Sequence, residues 1–261
     1  MIRILSALVL LPVFIGAVWF LPSWQLLVVA EIVLVLAFLE YARLAAEIGA
    51  PIARAISGTA AVLACAAVAR PSGPLGVVLM AATIAMAAVS LTGGTPRPAL
   101  VHSLAVGAFP SLYLGLPLGA LVALHTLAGR EVVLLLLLTV VVSDTAQFYA
   151  GSLFGRTLLA PAISPKKTVE GAVGGFVFGT ATMLVVGTWW LPAVAWPWRA
   201  GLGASVVALG MVGDLFESML KRSAGVKDSS GLVPGHGGML DRIDSLLFAA
   251  PAYYIFLRFG L

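Results

Sequence analysis

Long apolar runs, cut by short polar stretches, dominate the chain and set its expected architecture. Charged and Pro/Gly-rich breaks leave about nine stretches, most of them long enough for a membrane-crossing helix of about 20 apolar residues. The expected spans are Leu5–Leu21, Trp24–Leu39, Ile56–Ala69, Leu75–Leu91, Ser103–Leu124, Glu131–Phe154, Val169–Leu191, Ala200–Leu220 and Ser245–Phe259. The third and ninth are short as drawn and are expected to extend into their flanks. Residues Pro98–Gly129 carry no Lys, Arg, Asp or Glu, and both Pro110 and Pro117 fall among them. A break at these prolines would split the fifth span into two shorter helices and reverse the termini relative to each other.

Composition supports the pattern. Of 261 residues, 61% are hydrophobic and 10% charged, with a mean hydropathy of +1.09. Soluble domains carry roughly 25% charged residues, so this chain cannot cover a globule with polar surface. Its solvent is expected to be lipid, and its fold class an all-α polytopic integral membrane helical bundle. We expect one membrane domain over residues 1–261, with 1–130 mainly scaffold and 131–261 carrying catalytic helices and loops. The lone Cys65 excludes an internal disulfide or a cysteine metal cluster. The opening Met1-Ile2-Arg3 and the apolar run after it resemble a signal peptide. No small-x-small cleavage site follows, so the first span is expected to remain in place.

The net charge of +4 reports topology here, and no nucleic-acid partner is expected. With nine spans, only Arg70, Arg130, Arg199 and Arg258 of the fifteen Lys and Arg residues fall opposite the N-terminal side. The positive-inside rule then places the N-terminal side in the cytoplasm. The expected location is the inner (cytoplasmic) membrane, with the active site facing the cytoplasm.

All four lysines and seven of the eleven acids lie from Asp144 onward. The densest polar segment, Ser218 to Asp244, joins the last two spans. Just before it, Asp214 sits in an apolar helix, and helical spacing puts Asp214, Ser218 and Lys221 on one face with Glu217 and Arg222 close by. An acid within a span costs on the order of 3 kcal/mol, which makes Asp144 and Asp214 functional candidates. Asp241 and Asp244, three apart, are expected to project together from the first turn of the last helix. Hard oxygen donors with no His or Cys cluster beside them favour Mg²⁺, alone or with a second cation. Lys221, Arg222, Lys227 and Arg242 supply cations for phosphate oxygens. Gly235, Gly237 and Gly238 let the backbone approach a ligand, and His236 between glycines is a candidate phosphate or ribose donor. Upstream, Ser164-Pro165 reads as an N-cap and first turn, which would set Lys166, Lys167 and Thr168 at a helix N-terminus, an anion site. Carboxylates for a metal beside cations for phosphates are the equipment of phosphoryl or nucleotidyl transfer.

These stretches together resemble the phosphatidate cytidylyltransferase (CDP-diacylglycerol synthase) family. Its pattern of Ser-x-apolar-Lys-Arg, four residues, Lys-Asp and a loop ending His-Gly-Gly-apolar-x-Asp-Arg-apolar-Asp is met by Ser218, Lys221, Arg222, Lys227, Asp228, His236, Gly237, Gly238, Asp241, Arg242 and Asp244. Asp144-Thr145 and Ile163 to Gly171 also resemble the family's upstream motifs. Val233 stands where Leu, Ile or Phe is usual, and Phe148 replaces a common Tyr. The resemblance implies CTP and phosphatidate as substrates, CDP-diacylglycerol and pyrophosphate as products, and a homodimer. Within it, Asp214 and Asp241 are expected to hold Mg²⁺, Asp144 or Asp244 to assist, and Lys166 and Lys167 to bind phosphate. Two alternatives stand beside this: a cytidylyltransferase for another lipid phosphate, and a cation-coupled transporter. Transporters often pair broken helices across two repeat halves, whereas here the polar groups crowd into one half.

Overall fold

A computed structural model describes residues 12–92, 98–232 and 237–260. Arg3, Arg97, Val233, Gly235, His236 and the start of the expected first span lie outside the described residues. The chain is helical almost throughout. A helix over residues 12–20 (α1) is followed by α2 (Ser23–Glu47), α3 (Arg54–Val68), α4 (Leu75–Leu91), α5 (Leu100–Pro110), a π-helical turn (Ser111–Gly115) and α6 (Leu116–Ala128). Then come α7 (Arg130–Phe154), strands β1 (Leu158–Ala160) and β2 (Ser164–Thr168), α8 (Val169–Trp190), α9 (Trp196–Ser223) and α10 (Leu240–Phe259).

Among the described residues, α2, the continuous stretch Leu100–Ala128, α7, α8 and α9 are long and apolar enough to cross a membrane. The apolar helices α3 and α4 are shorter, and α10 carries Asp241, Arg242, Asp244 and Arg258. Phe20, Leu91, Val101 and Trp189 are each at least 70% exposed, which suits a lipid solvent and not water. The chain is a multi-pass membrane protein.

Pro110 does not break the fifth span. A proline in a helix frees the carbonyl four residues earlier, here Val106, and Tyr41 from α2 donates its hydroxyl to that carbonyl at 2.9 Å. The π turn immediately after Pro110 takes up the remaining mismatch, and the helix runs on through Pro117 to Ala128.

Two compact units make up the chain. One comprises residues 1–126 together with 223–242, the other residues 127–222 together with 243–261. The polar loop after α9 therefore packs with the N-terminal half, which the sequence had assigned to scaffold. In the second unit α7 and α8 pack closely along their length. A glycine stripe on α8 allows this: at Gly175 a Cβ would come within 2.9 Å of the Ser143 carbonyl and collide with Gln147 Cγ.

The region around Ser164 differs from the expectation of a capped helix. Ser164–Thr168 is a strand, antiparallel to Leu158–Ala160, and Thr168 is the N-cap, its hydroxyl accepting from Gly171 N at 3.1 Å. Pro165 lacks an N–H but is tolerated in so short a two-stranded ribbon. Glu170, in the first turn of α8, accepts the backbone N–H groups of Arg156 and Thr157 and so closes the hairpin against the helix. Lys166 and Lys167 thus lie on the strand that runs into α8, and of the three residues expected at a helix N-terminus Thr168 caps it.

Candidate active site

In the second unit, charged residues from four elements are brought together. Lys167 of β2 reaches Asp214 of α9, with Nζ 2.5 Å from Oδ2 and both side chains about a quarter exposed (21% and 29%). One turn further along α9, Lys221 pairs with Glu217 at 2.5 Å, and here the carboxylate is wholly buried while the lysine side chain is 11% exposed. Arg222 donates Nε–H to the Ile163 carbonyl at 3.3 Å, fastening the hairpin to the end of α9. Asp244 of α10 lies within electrostatic reach of Asp214, Asp144 and Lys221, and its Oδ1 accepts from Ser245 N. Asp144 of α7 is exposed and accepts from Gln147 at 3.1 Å. Close packing of α9 on α10 underlies the arrangement: a Cβ at Gly213 would lie 2.5 Å from the Asp244 carbonyl. Of the remaining residues singled out by sequence here, Ser218 is half-buried on α9, Ser164 half-buried on β2 and Lys166 exposed.

The carboxylates of Asp144, Asp214 and Asp244 are the donor type that a hard divalent cation takes. Their chemistry fits Mg²⁺. Among the described residues, no three acidic, histidine or cysteine side chains are drawn close enough to hold an ion as they stand, and Lys167 takes up Asp214 Oδ2.

The first unit contains the loop that carries the rest of the motif. Asp241 Oδ2 accepts three hydrogen bonds, from Ser229 N (3.0 Å), Ser229 Oγ (2.7 Å) and Gly238 N (2.8 Å). Gly237 has φ of +79°, a left-handed conformation in which a side chain is strained. At Gly238 a Cβ would collide with Ser229 Oγ and with both carboxylate oxygens of Glu40. Both glycines of the motif are therefore required by the loop's own geometry. Lys227, Asp228 and Arg242 are exposed around it.

Glu40 is the residue that sequence reasoning missed. As an isolated charge in the apolar first half of the chain it looked like scaffold. It is buried, 6% exposed, and accepts from Ser230 Oγ (2.6 Å) and Met239 N (2.9 Å) on one oxygen and from Leu240 N (2.8 Å) on the other, which also lies 2.9 Å from Ser229 Oγ, whose single proton serves either this oxygen or Asp241 Oδ2. The cost of burying an acid within a span is the only signal that could have flagged it.

The helical membrane fold and the gathering of acids and cations define a multi-pass membrane protein with a charged site, and comparison with known proteins gives its family. This chain belongs to the cytidylyltransferase family, whose model matches residues 1–260. It is 46% identical over 133 residues to a phosphatidate cytidylyltransferase of Synechocystis sp., covering 49% of this chain and 44% of that protein. A phosphatidate cytidylyltransferase of Thermotoga maritima is 44% identical over 135 residues, 50% of each chain. One from Helicobacter pylori strain J99 is 42% identical over 159 residues, 60% of this chain and 58% of that protein. The matched stretch spans about half the length of these relatives.

Proposed function

We propose that the protein transfers the cytidylyl group of CTP to phosphatidate, giving CDP-diacylglycerol and pyrophosphate. The observation that carries this is the pairing of Lys167 with Asp214, in the electrostatic company of Asp144, Asp244 and Lys221. Such a set matches a substrate rich in phosphate, and the named relatives are phosphatidate cytidylyltransferases. A phosphate oxygen of the lipid attacks the α-phosphorus of CTP in line. The bond from that phosphorus to the bridging oxygen breaks, and pyrophosphate leaves with the electron pair. With a second pKa of about 6, a phosphate monoester is already ionised near neutrality, so no strong general base is needed.

Positioning and charge neutralisation then supply most of the rate. An ammonium has three N–H donors, so Lys167 can hold Asp214 and still donate to a phosphate oxygen. Lys166, exposed on the same strand, adds a second cation for phosphate, and Arg222 holds the hairpin that presents both. In the first unit Lys227, exposed, is a further cation of the kind that phosphate takes. Mg²⁺ would neutralise triphosphate charge when bound, with Asp214, Asp144 and Asp244 the acids of the second unit that would hold it; Asp241, the other ligand expected from sequence, has Oδ2 committed to Ser229 N and Gly238 N. We further propose a homodimer in the cytoplasmic membrane with the site facing the cytoplasm, consistent with the charge asymmetry of the loops.

The experiment is a pair of substitutions assayed with labelled CTP and phosphatidate. Asp214→Asn should abolish turnover in protein that is still folded and membrane-inserted. Lys167→Ala should lower kcat/KM by about 100-fold or more, the scale for removing one preorganised charge-stabilising donor. Wild-type kinetics in either variant would refute the assignment.

A further inference from the structure

We propose that Glu40, on a helix remote in sequence from every motif, is a positioning residue for the CTP-dependent reaction and acts by fixing the two ends of the motif loop, Ser229 with Ser230 and Met239 with Leu240. The proposal rests on the activity above and adds α2 to its machinery. Glu40 lies seven residues before the end of α2, about 10 Å along the helix axis. Its two oxygens face four donors from the loop: two hydroxyls and two backbone N–H groups. Bonds to an acid are the stronger kind, and the single Ser229 hydroxyl proton is the one that Glu40 shares with Asp241. They tie both ends of the loop to one carboxylate, Ser229 and Ser230 at its start, Met239 and Leu240 at its close. Ser229 Oγ lies 2.9 Å from Glu40 and 2.7 Å from Asp241, so its one proton can go to either acid. Gly238, pressed against Glu40 with no room for a side chain, takes its place in the loop from this contact.

The two backbone donors make glutamate hard to replace. Met239 N–H points at Oε1 and Leu240 N–H at Oε2, and neither can be turned away while α10 begins at Leu240. Glutamine offers one oxygen and one NH₂. Whichever way the amide is flipped, its NH₂ group meets a backbone N–H, donor against donor, in a buried place. Aspartate keeps the charge but is one methylene shorter. The loop must therefore shift in Glu40→Gln, and displacing a substrate-positioning element by about 1 Å costs on the order of 100-fold.

The test compares wild type, Glu40→Gln and Ser230→Ala by steady-state kinetics in both substrates and by amide hydrogen exchange of residues 229–241. Ser230→Ala removes one loop donor and leaves the helices untouched. Expected for Glu40→Gln is a fall of about 100-fold in kcat/KM for CTP, an unchanged KM for phosphatidate, and faster exchange at Met239 and Leu240. Ser230→Ala should show a smaller fall in the same direction. Unchanged CTP kinetics in both variants would overturn the proposal. So would a loss of activity equal for both substrates and matched by loss of folded protein, since that is what a purely structural contact produces. If the wild type turns over neither substrate, the activity reading fails and the kinetic role of Glu40 falls with it. The exchange measurement, which needs no substrate, then still decides whether Glu40 holds the loop.

Discussion

Replacing Lys221 by methionine should destabilise the protein by about 3 kcal/mol, the low end of the cost of breaking a buried ion pair from one side. The Glu217 carboxylate that Lys221 neutralises is wholly buried, and the lysine side chain is 11% exposed, with the charged atoms 2.5 Å apart. Methionine preserves the volume of the stem but removes the ammonium that lies against that carboxylate. The opposite change, Glu217→Gln, should cost less, because a lysine so near the end of α9 can carry its ammonium outward. In the double variant Glu217→Gln/Lys221→Met both charges are gone, and most of the lost stability should return, as it does when a buried pair is replaced by uncharged groups of similar volume. Equilibrium unfolding of the four proteins in mixed micelles gives the double-mutant cycle, with an expected coupling of about 2–3 kcal/mol. Strictly additive single losses, or a Lys221→Met variant as stable as wild type, would refute the reasoning. Activity separates the two roles of Lys221, whose charge also reaches Asp244. The double variant should recover stability without recovering turnover.

Gly238→Ala should lower kcat/KM for CTP by about 100-fold, because its methyl group collides with Ser229 Oγ and the Glu40 carboxylate; wild-type kinetics would mean that the loop shape is immaterial. Thr168→Ala should cost about 1 kcal/mol of stability, the value of an N-cap, while Thr168→Ser retains it. Because the Thr168 hydroxyl is committed to Gly171 N, KM for CTP should not change in either, and a raised KM would return Thr168 to substrate binding.

The parts of the fold and site that sequence made legible are those decided by local pattern. Apolar runs located the long helices, and the cost of an acid in lipid marked Asp214 and Asp144 before any neighbour was known. Lys167 was singled out for its charge next to a helix, and the structure supplies its partner. What stayed hidden depended on distant partners. Glu40 and Ser230 are 190 residues apart in sequence, and nothing within an apolar run distinguishes an acid waiting for such a loop from an isolated one. Ser164-Pro165 carries the signature of a helix start, yet Thr168 won the cap because β2 is fixed by pairing with β1 and by the bonds from Arg156 and Thr157 to Glu170. Pro110 looked like a break because the hydroxyl that satisfies its freed carbonyl comes from Tyr41, on another helix.

Transfer of label from [α-³²P]CTP to lipid is the most direct test of the proposed chemistry. Purified protein is supplied with Mg²⁺ and, in separate reactions, phosphatidate, an ether-linked lipid phosphate and an isoprenoid phosphate. The label should move to a CDP-lipid with phosphatidate, with one pyrophosphate released per lipid formed. Transfer only to one of the other phosphates would establish a cytidylyltransferase of different substrate, and no transfer to any lipid would contradict the proposed reaction altogether.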